Sequence, residues 1–151
     1  MLTLEQVYSI SQSLSSLGVE WSLGPLVLFQ AITSNLTGDI DLAVHVEDIS
    51  DRLIETCKAL NIKNIFAVIN RGFSARCIYV WGLPCISIED VLLSLWHELN
   101  RPYREIITSL VRRISLDDID WSYVRNVALR LRVLDKVRDT LRELGLDRGY
   151  L

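Results

Sequence analysis

Two carboxylates one residue apart, Asp39 and Asp41, are the side chains in this sequence whose type and spacing point most directly to chemistry. They open an apolar run, Asp39 to Val46, that reads as a strand. Side chains on a strand alternate faces, so the two acids project on one side about 7 Å apart, with Ile40 turned to the other. Paired acids at the mouth of an apolar strand repel each other and lose hydration unless a cation or a basic group neutralises them. Mg²⁺, or Mn²⁺ in its place, suits the pair because it takes one or two carboxylates together with phosphate oxygens and water. A plainer alternative stands beside this one: both acids belong to the solvated turn Thr37-Gly38-Asp39 and simply begin the strand. His45 alternates with Asp41 and Ala43 on the same face, where it either borders a site or is an ordinary hydrogen-bonded strand histidine.

The elements that must position the acids follow from periodicity. Thr3 and Gln6 have the spacing of a capping box, and Leu4, Val7, Ile10, Leu14 and Leu17 recur at helical intervals up to Gly18. Val19 to Leu23 predicts a short strand, Gly24-Pro25 a turn, and Leu26 to Ile32 a buried helix with proline at its first position. After the Asp-Ile-Asp strand, Ile49 to Leu60 returns to helical spacing. Ile65 to Ile69 and Cys77 to Trp81 read as two strands joined by a turn containing Asn70-Arg71-Gly72-Phe73. From Ser87, a candidate cap with Glu89 and Asp90 in the first turn, the pattern is helical: 88 to 99, 102 to 113 behind Pro102, and two more after Ser115 and around Leu134. The expected fold class is α/β: a small mixed sheet flanked by helices over 1–86, followed by a C-terminal helical bundle over 87–151.

The segment from Gly18 to Ala31, holding Gly24-Pro25, followed by Gly38-Asp-Ile-Asp-Leu-Ala-Val, resembles the nucleotidyltransferase superfamily related to DNA polymerase β. There a strand ends in a glycine-containing turn and helix, and the next strand carries Asp-x-Asp. Ser87-Ile-Glu-Asp-Val-Leu-Leu, Arg101-Pro102 and Asp120-Trp-Ser-Tyr-Val-Arg resemble the helical tail of small bacterial and archaeal members such as AbiE-type toxin transferases. The resemblance implies transfer of a nucleoside monophosphate from an NTP to a hydroxyl on RNA, a protein or a small molecule. Asp39 and Asp41 would hold Mg²⁺ between triphosphate and attacking oxygen. Ser22 and Gly24 would meet the nucleotide, glycine because its backbone can approach phosphate without steric cost. Arg71 and Arg76, beside the predicted turn and strand, either reach the triphosphate or lie on the surface.

Three departures weigh on the activity. Gly24 is followed by Pro25, which offers phosphate neither an N–H nor a hydroxyl, where the family usually has Gly-Gly or Gly-Ser. Arg76 to Trp81 holds no third acid, and the helix expected after Ser87 has no lysine to clamp phosphate. The alternative is therefore a catalytically inactive protein of the same fold, a nucleotide-binding or protein-interaction module such as one half of a toxin–antitoxin pair.

Composition bounds the rest. The 151 residues are 50% apolar and 23% charged, as in an ordered globular chain. The net charge of −3 argues against a dedicated non-specific nucleic-acid binder. It is unevenly spread, with 5 basic and 11 acidic residues over 1–100 against 11 and 8 over 101–151. Arg125, Arg130, Arg132, Arg138 and Arg142 either meet phosphates or RNA or, with Asp135 and Asp139 interleaved at helical spacing, form a solvated salt-bridged face, the default for this pattern. Cys57, Cys77 and Cys85 lack the paired spacing of a zinc site. No run has the roughly 20 apolar residues of a membrane span and no signal-peptide pattern opens the chain, so a cytoplasmic protein is expected. Four tryptophans and a mean hydropathy of +0.25 suggest more apolar surface than a monomer needs, hence a homodimer, with the helical half as the expected contact surface.

Overall fold

The computed structural model describes residues 4–24, 43–62, 64–68, 70–80, 82–97, 101–114, 116–146 and 149–151. It divides the chain into two compact units, 1–87 and 88–151.

In the first unit, helix α1 (Leu4–Ser15) forms where apolar residues fall three and four apart, and it buries Val7, Ile10 and Leu14. Strand β1 (Trp21–Leu23) follows, buried at all three positions. Strand β2 (Ala43–Val46) leads into helix α2 (Asp51–Ala59), whose N-terminus is capped by Ser50: its hydroxyl accepts from the Leu53 N–H at 3.2 Å. Leu53 and Cys57, one turn apart, are the buried residues of α2. Strand β3 (Asn64–Ala67) then runs parallel to β2, the pairing that a helical crossover permits. Strands β4 (Ile78–Val80) and β5 (Leu83–Cys85) complete a five-stranded mixed sheet of order β3-β2-β1-β5-β4. β1 is central, antiparallel to β2 and parallel to β5. The registers Trp21↔Val46, Leu23↔Val44 and Leu23↔Cys85 align buried residues across three strands on one face. Removing a Leu or Val side chain from water here stabilises the fold by about 1.5–3 kcal/mol each.

The two runs expected as strands joined by a turn are strands, but they do not pair with each other. β3 and β4 are the opposite edges of the sheet. The segment between them turns at Gly72, whose φ of +86° is left-handed, and then forms a 3₁₀ turn, Phe73–Arg76, that sinks Phe73 to 0% exposure. Such a linker docks a core residue instead of closing a tight hairpin. The hairpin is β4–β5, closed between Val80 and Leu83 with Gly82 at φ +77°. β5 escaped the sequence reading because Pro84 argues against a strand.

The second unit begins with α3 (Ile88–Ser94), which tightens into a 3₁₀ turn at Leu95–His97. Helix α4 (Arg101–Arg113) carries Pro102 in its first turn, where a missing N–H costs nothing, and buries Ile107 and Val111. A 3₁₀ turn, Leu116–Asp118, precedes α5 (Trp121–Arg130), capped by Asp120, which accepts from the Tyr123 N–H at 3.0 Å. Helix α6 (Leu134–Glu143) buries Val137 and Leu141. α3 packs against both α5 and α6. Lys136 caps the face of Trp96 at 4.5 Å, and the ring of Trp121 stacks on Tyr150 at 4.8 Å. Within the arginine-rich face Arg138 pairs with Asp135 at 3.8 Å, while Arg125 and Arg138 both donate to the Leu151 carbonyl at 2.7 Å. Among the described residues no helix is long and apolar enough to cross a membrane.

Candidate functional site

The register of β1 and β2 places the described residues of the candidate site. The two strands run antiparallel with Leu23 opposite Val44, so Gly24, the next residue of β1's chain, lies alongside Ala43, two residues along from Asp41. Asp39 and Asp41 themselves lie outside the described residues, as do the helix expected over 26–32 and the capping box at Thr3. Gly24 is buried at this end of the sheet.

Ser22, one position inside β1, pairs in register with His45. By strand alternation its side chain leaves the face shared by Trp21 and Leu23. It is 0% exposed, and among the described residues its hydroxyl has no hydrogen-bond partner. A buried hydroxyl left unbonded costs about 1–3 kcal/mol, so this atom marks a position where an additional polar group would be accommodated with a gain.

The two arginines separate. Arg76 closes the 3₁₀ turn that leads into β4. Because Ile78 pairs with Cys85 and Cys85 with Leu23, β4 starts at the Gly24 end of the sheet, two strands across. Arg71 lies at the other end of β2, beyond Val46: its guanidinium meets Asp48 at 3.0 Å and Glu47 at 3.7 Å, and Glu47 also accepts from the Gly72 N–H at 2.7 Å. Arg71 is therefore not brought to Gly24. Its role there is to tie the end of β2 to the turn after β3, through ion pairs exposed enough to be worth about 0–1 kcal/mol.

Glu89 and Asp90, the acids nearest in sequence to a missing third carboxylate, have structural partners within the second unit. Glu89 Oε1 accepts from the Asp120 N–H at 3.1 Å, and Asp90 Oδ1, fully buried, accepts from the Tyr123 hydroxyl at 2.9 Å. Sequence spacing assigned both to the helix start. The burial of Asp90 was legible only in the apolar run Val91-Leu92-Leu93 that follows it. Among the described residues no group of three or more His, Cys, Asp and Glu side chains could hold a metal. Burial raises the thiol pKa of Cys57; it pushes Cys85 up to about 12, with the charge of neighbouring Cys77 adding to the rise and a Val80 backbone hydrogen bond opposing it. Neither is poised as a thiolate ligand or nucleophile.

A polar cleft of about 510 Å³ at the opposite end of the sheet from Gly24 was missed by the sequence reading. Ser11 and Ser15 of α1, Glu20, Trp21, Tyr79 and Pro84 line it, and the Ser15 hydroxyl accepts from the Trp21 indole at 3.2 Å. Its serines recur on one face of α1 at four-residue spacing, a signal hidden among the other serines of that helix. No protein-family model, curated protein or solved structure matches the chain.

Proposed function

We propose that the chain is a metal-dependent nucleotidyltransferase, built on a small sheet of the nucleotidyltransferase type followed by a C-terminal helical bundle, that moves a nucleoside monophosphate from an NTP to a hydroxyl acceptor on RNA, a protein or a small molecule. The observation that supports this reading most is the β1–β2 register, Leu23↔Val44, because in the sequence Gly24 directly follows β1 and Asp-Ile-Asp shortly precedes β2. In the proposed site Asp39 and Asp41 hold Mg²⁺, or Mn²⁺, and the metal supplies charge stabilisation to the triphosphate and the attacking oxygen. Gly24 lets the backbone come close to phosphate, the unbonded hydroxyl of Ser22 accounts for a further polar contact, and Arg76 approaches from the edge of the sheet.

The second reading, an inactive relative serving as a nucleotide-binding or interaction module, for instance in a toxin–antitoxin pair, is favoured by the engagement of Arg71 with Glu47 and Asp48 and by the lack of a carboxylate on β3, β4 and β5. Thermal melting with each NTP in the presence and absence of Mg²⁺ separates them from a protein that binds no nucleotide. Ligand at about 100 times its dissociation constant adds roughly 2.7 kcal/mol. At roughly 2–4 °C per kcal/mol for a chain of this size, that is a rise of about 5–11 °C. Asp41→Asn is expected to abolish the Mg²⁺-dependent part while leaving the unliganded melt unchanged. A Mg²⁺-dependent shift retained in that variant rules out the acid pair as the site. A shift without release of pyrophosphate in the presence of RNA or protein acceptors selects the second reading.

A further inference from the structure

Among the described residues the sheet ends at β4, and this edge is complementary to itself. Pro84 sets the phase of the β4–β5 ladder. Proline has no N–H, so Tyr79↔Pro84 cannot be a pair that exchanges both hydrogen bonds; the bonded pairs are those on either side, Ile78↔Cys85 and Val80↔Leu83. The N–H and C=O of Tyr79 therefore point away from β5, out of the last strand of the sheet. Among the described residues no backbone group bonds to them. Tyr79 is 69% exposed and Ile78 44%. Natural edge strands are guarded by shortness, by lysine or proline, or by inward charge. β4 is three residues long but carries neither charge nor proline, and the whole stretch from Cys77 to Cys85 is without a charged residue.

We propose that β4 pairs antiparallel with β4 of a second copy of this chain about a two-fold axis at Tyr79, joining the two five-stranded sheets edge to edge. Each Tyr79 then donates its N–H to the carbonyl of the partner's Tyr79 and accepts in return, so the outward pair is satisfied by the same residue. In that register Ile78 faces the partner's Val80, an apolar pair on the core side of the sheet. Self-complementarity and neutrality select a second copy over a charged foreign strand, because two identical charged edges would repel where these do not. Of the exposed large apolar residues, Ile78 and Tyr79 belong to β4, Tyr8 to α1 and Ile49 to the segment before α2, whereas the helical unit contributes only Leu129 among its described residues. The contact surface thus moves from the helical half, where composition suggested it, to the sheet edge. The proposal is independent of the transferase reading.

Tyr79→Pro deletes the outward N–H without removing a bond to β5, and Ile78→Lys introduces the kind of charge that guards natural edges. Sedimentation equilibrium across the micromolar range is expected to give twice the 17.3 kDa chain mass for the wild type and the single-chain mass for both variants, with unchanged far-UV circular dichroism. Leu129→Lys is expected to stay dimeric. If Tyr79→Pro misfolds, Ile78→Lys decides, together with Tyr79→Cys: facing Cα atoms in a bonded antiparallel pair are about 5.5 Å apart, so a short bifunctional thiol cross-linker is expected to link that variant beyond the wild type. A wild-type monomer, a dimer that survives Ile78→Lys, or a Tyr79→Cys variant that does not cross-link beyond wild type overturns the proposal.

Discussion

Replacing Tyr123 with phenylalanine removes a single oxygen, yet the structure assigns that oxygen a large share of the local stability. It donates to Asp90 Oδ1 at 2.9 Å, linking α5 to α3, and Asp90 is 0% exposed. A hydrogen bond to a charged group nets about 1.5–3 kcal/mol, against about 1 for a neutral pair, because a buried carboxylate that loses a donor has no water to replace it. Asp90 keeps a further polar interaction, which sets the expectation for Tyr123→Phe in the lower half of that range, about 1.5–2 kcal/mol. At roughly 2–4 °C per kcal/mol this lowers Tm by about 3–8 °C. Parallel thermal and urea melts of wild type, Tyr123→Phe, Asp90→Leu and the double variant measure it and isolate the coupling of the pair. Glu89→Gln serves as the comparison, since its contact with the Asp120 N–H survives as an amide acceptor. A loss below about 0.5 kcal/mol for Tyr123→Phe, the range of ordinary surface substitutions, would mean that Asp90 serves the helix dipole alone and that its burial carries no hydrogen-bond dependence.

Three further outcomes are expected. Phe73→Ala, at 0% exposure, should cost about 3–5 kcal/mol in urea melts, far more than a residue in a surface turn would. Ser50→Ala should cost about 1 kcal/mol, and Ser50→Asp should restore it, as the side-chain acceptor for the Leu53 N–H is lost and regained. Cys85, with its ordinary 9.0 pushed up to about 12, keeps a proton in the folded state that the unfolded chain releases. Its contribution to stability is full below pH 9 and lost as pH rises through about 12, so Cys85→Ala should flatten part of the alkaline decline in stability, and a thiol reagent should label Cys85 only after unfolding.

Several elements were legible in the residues alone because their determinants are local. A 3.6-residue apolar period needs no knowledge of the partner surface, so α1, α2 and the helices from 101 onward follow from spacing, and the Pro102 first turn from residue type. The strands β3 and β4 were likewise visible as β-branched and aromatic runs. Their pairing was not. Local sequence makes a strand, but which edge it meets depends on what the rest of the sheet leaves open. The crossover through α2 commits β3 to β2, and β5 occupies the far side of β1, so the apparent hairpin partners become the two outer strands.

For the candidate site, the sequence by itself determined the residue types and the short-range offsets: an acid pair at i and i+2, a glycine turn before it, a serine two residues before the glycine. The tertiary structure decided which distant groups share its neighbourhood. Antiparallel register sets Leu23, next to Gly24, opposite Val44, the segment after the 3₁₀ turn starts β4 at the Leu23 end of the sheet, and Glu47 and Asp48 hold Arg71 at the other. Charge identity is written in the chain, but Coulomb and hydrogen-bond energies depend on distances of a few ångströms between residues tens of positions apart, and only the fold sets those distances.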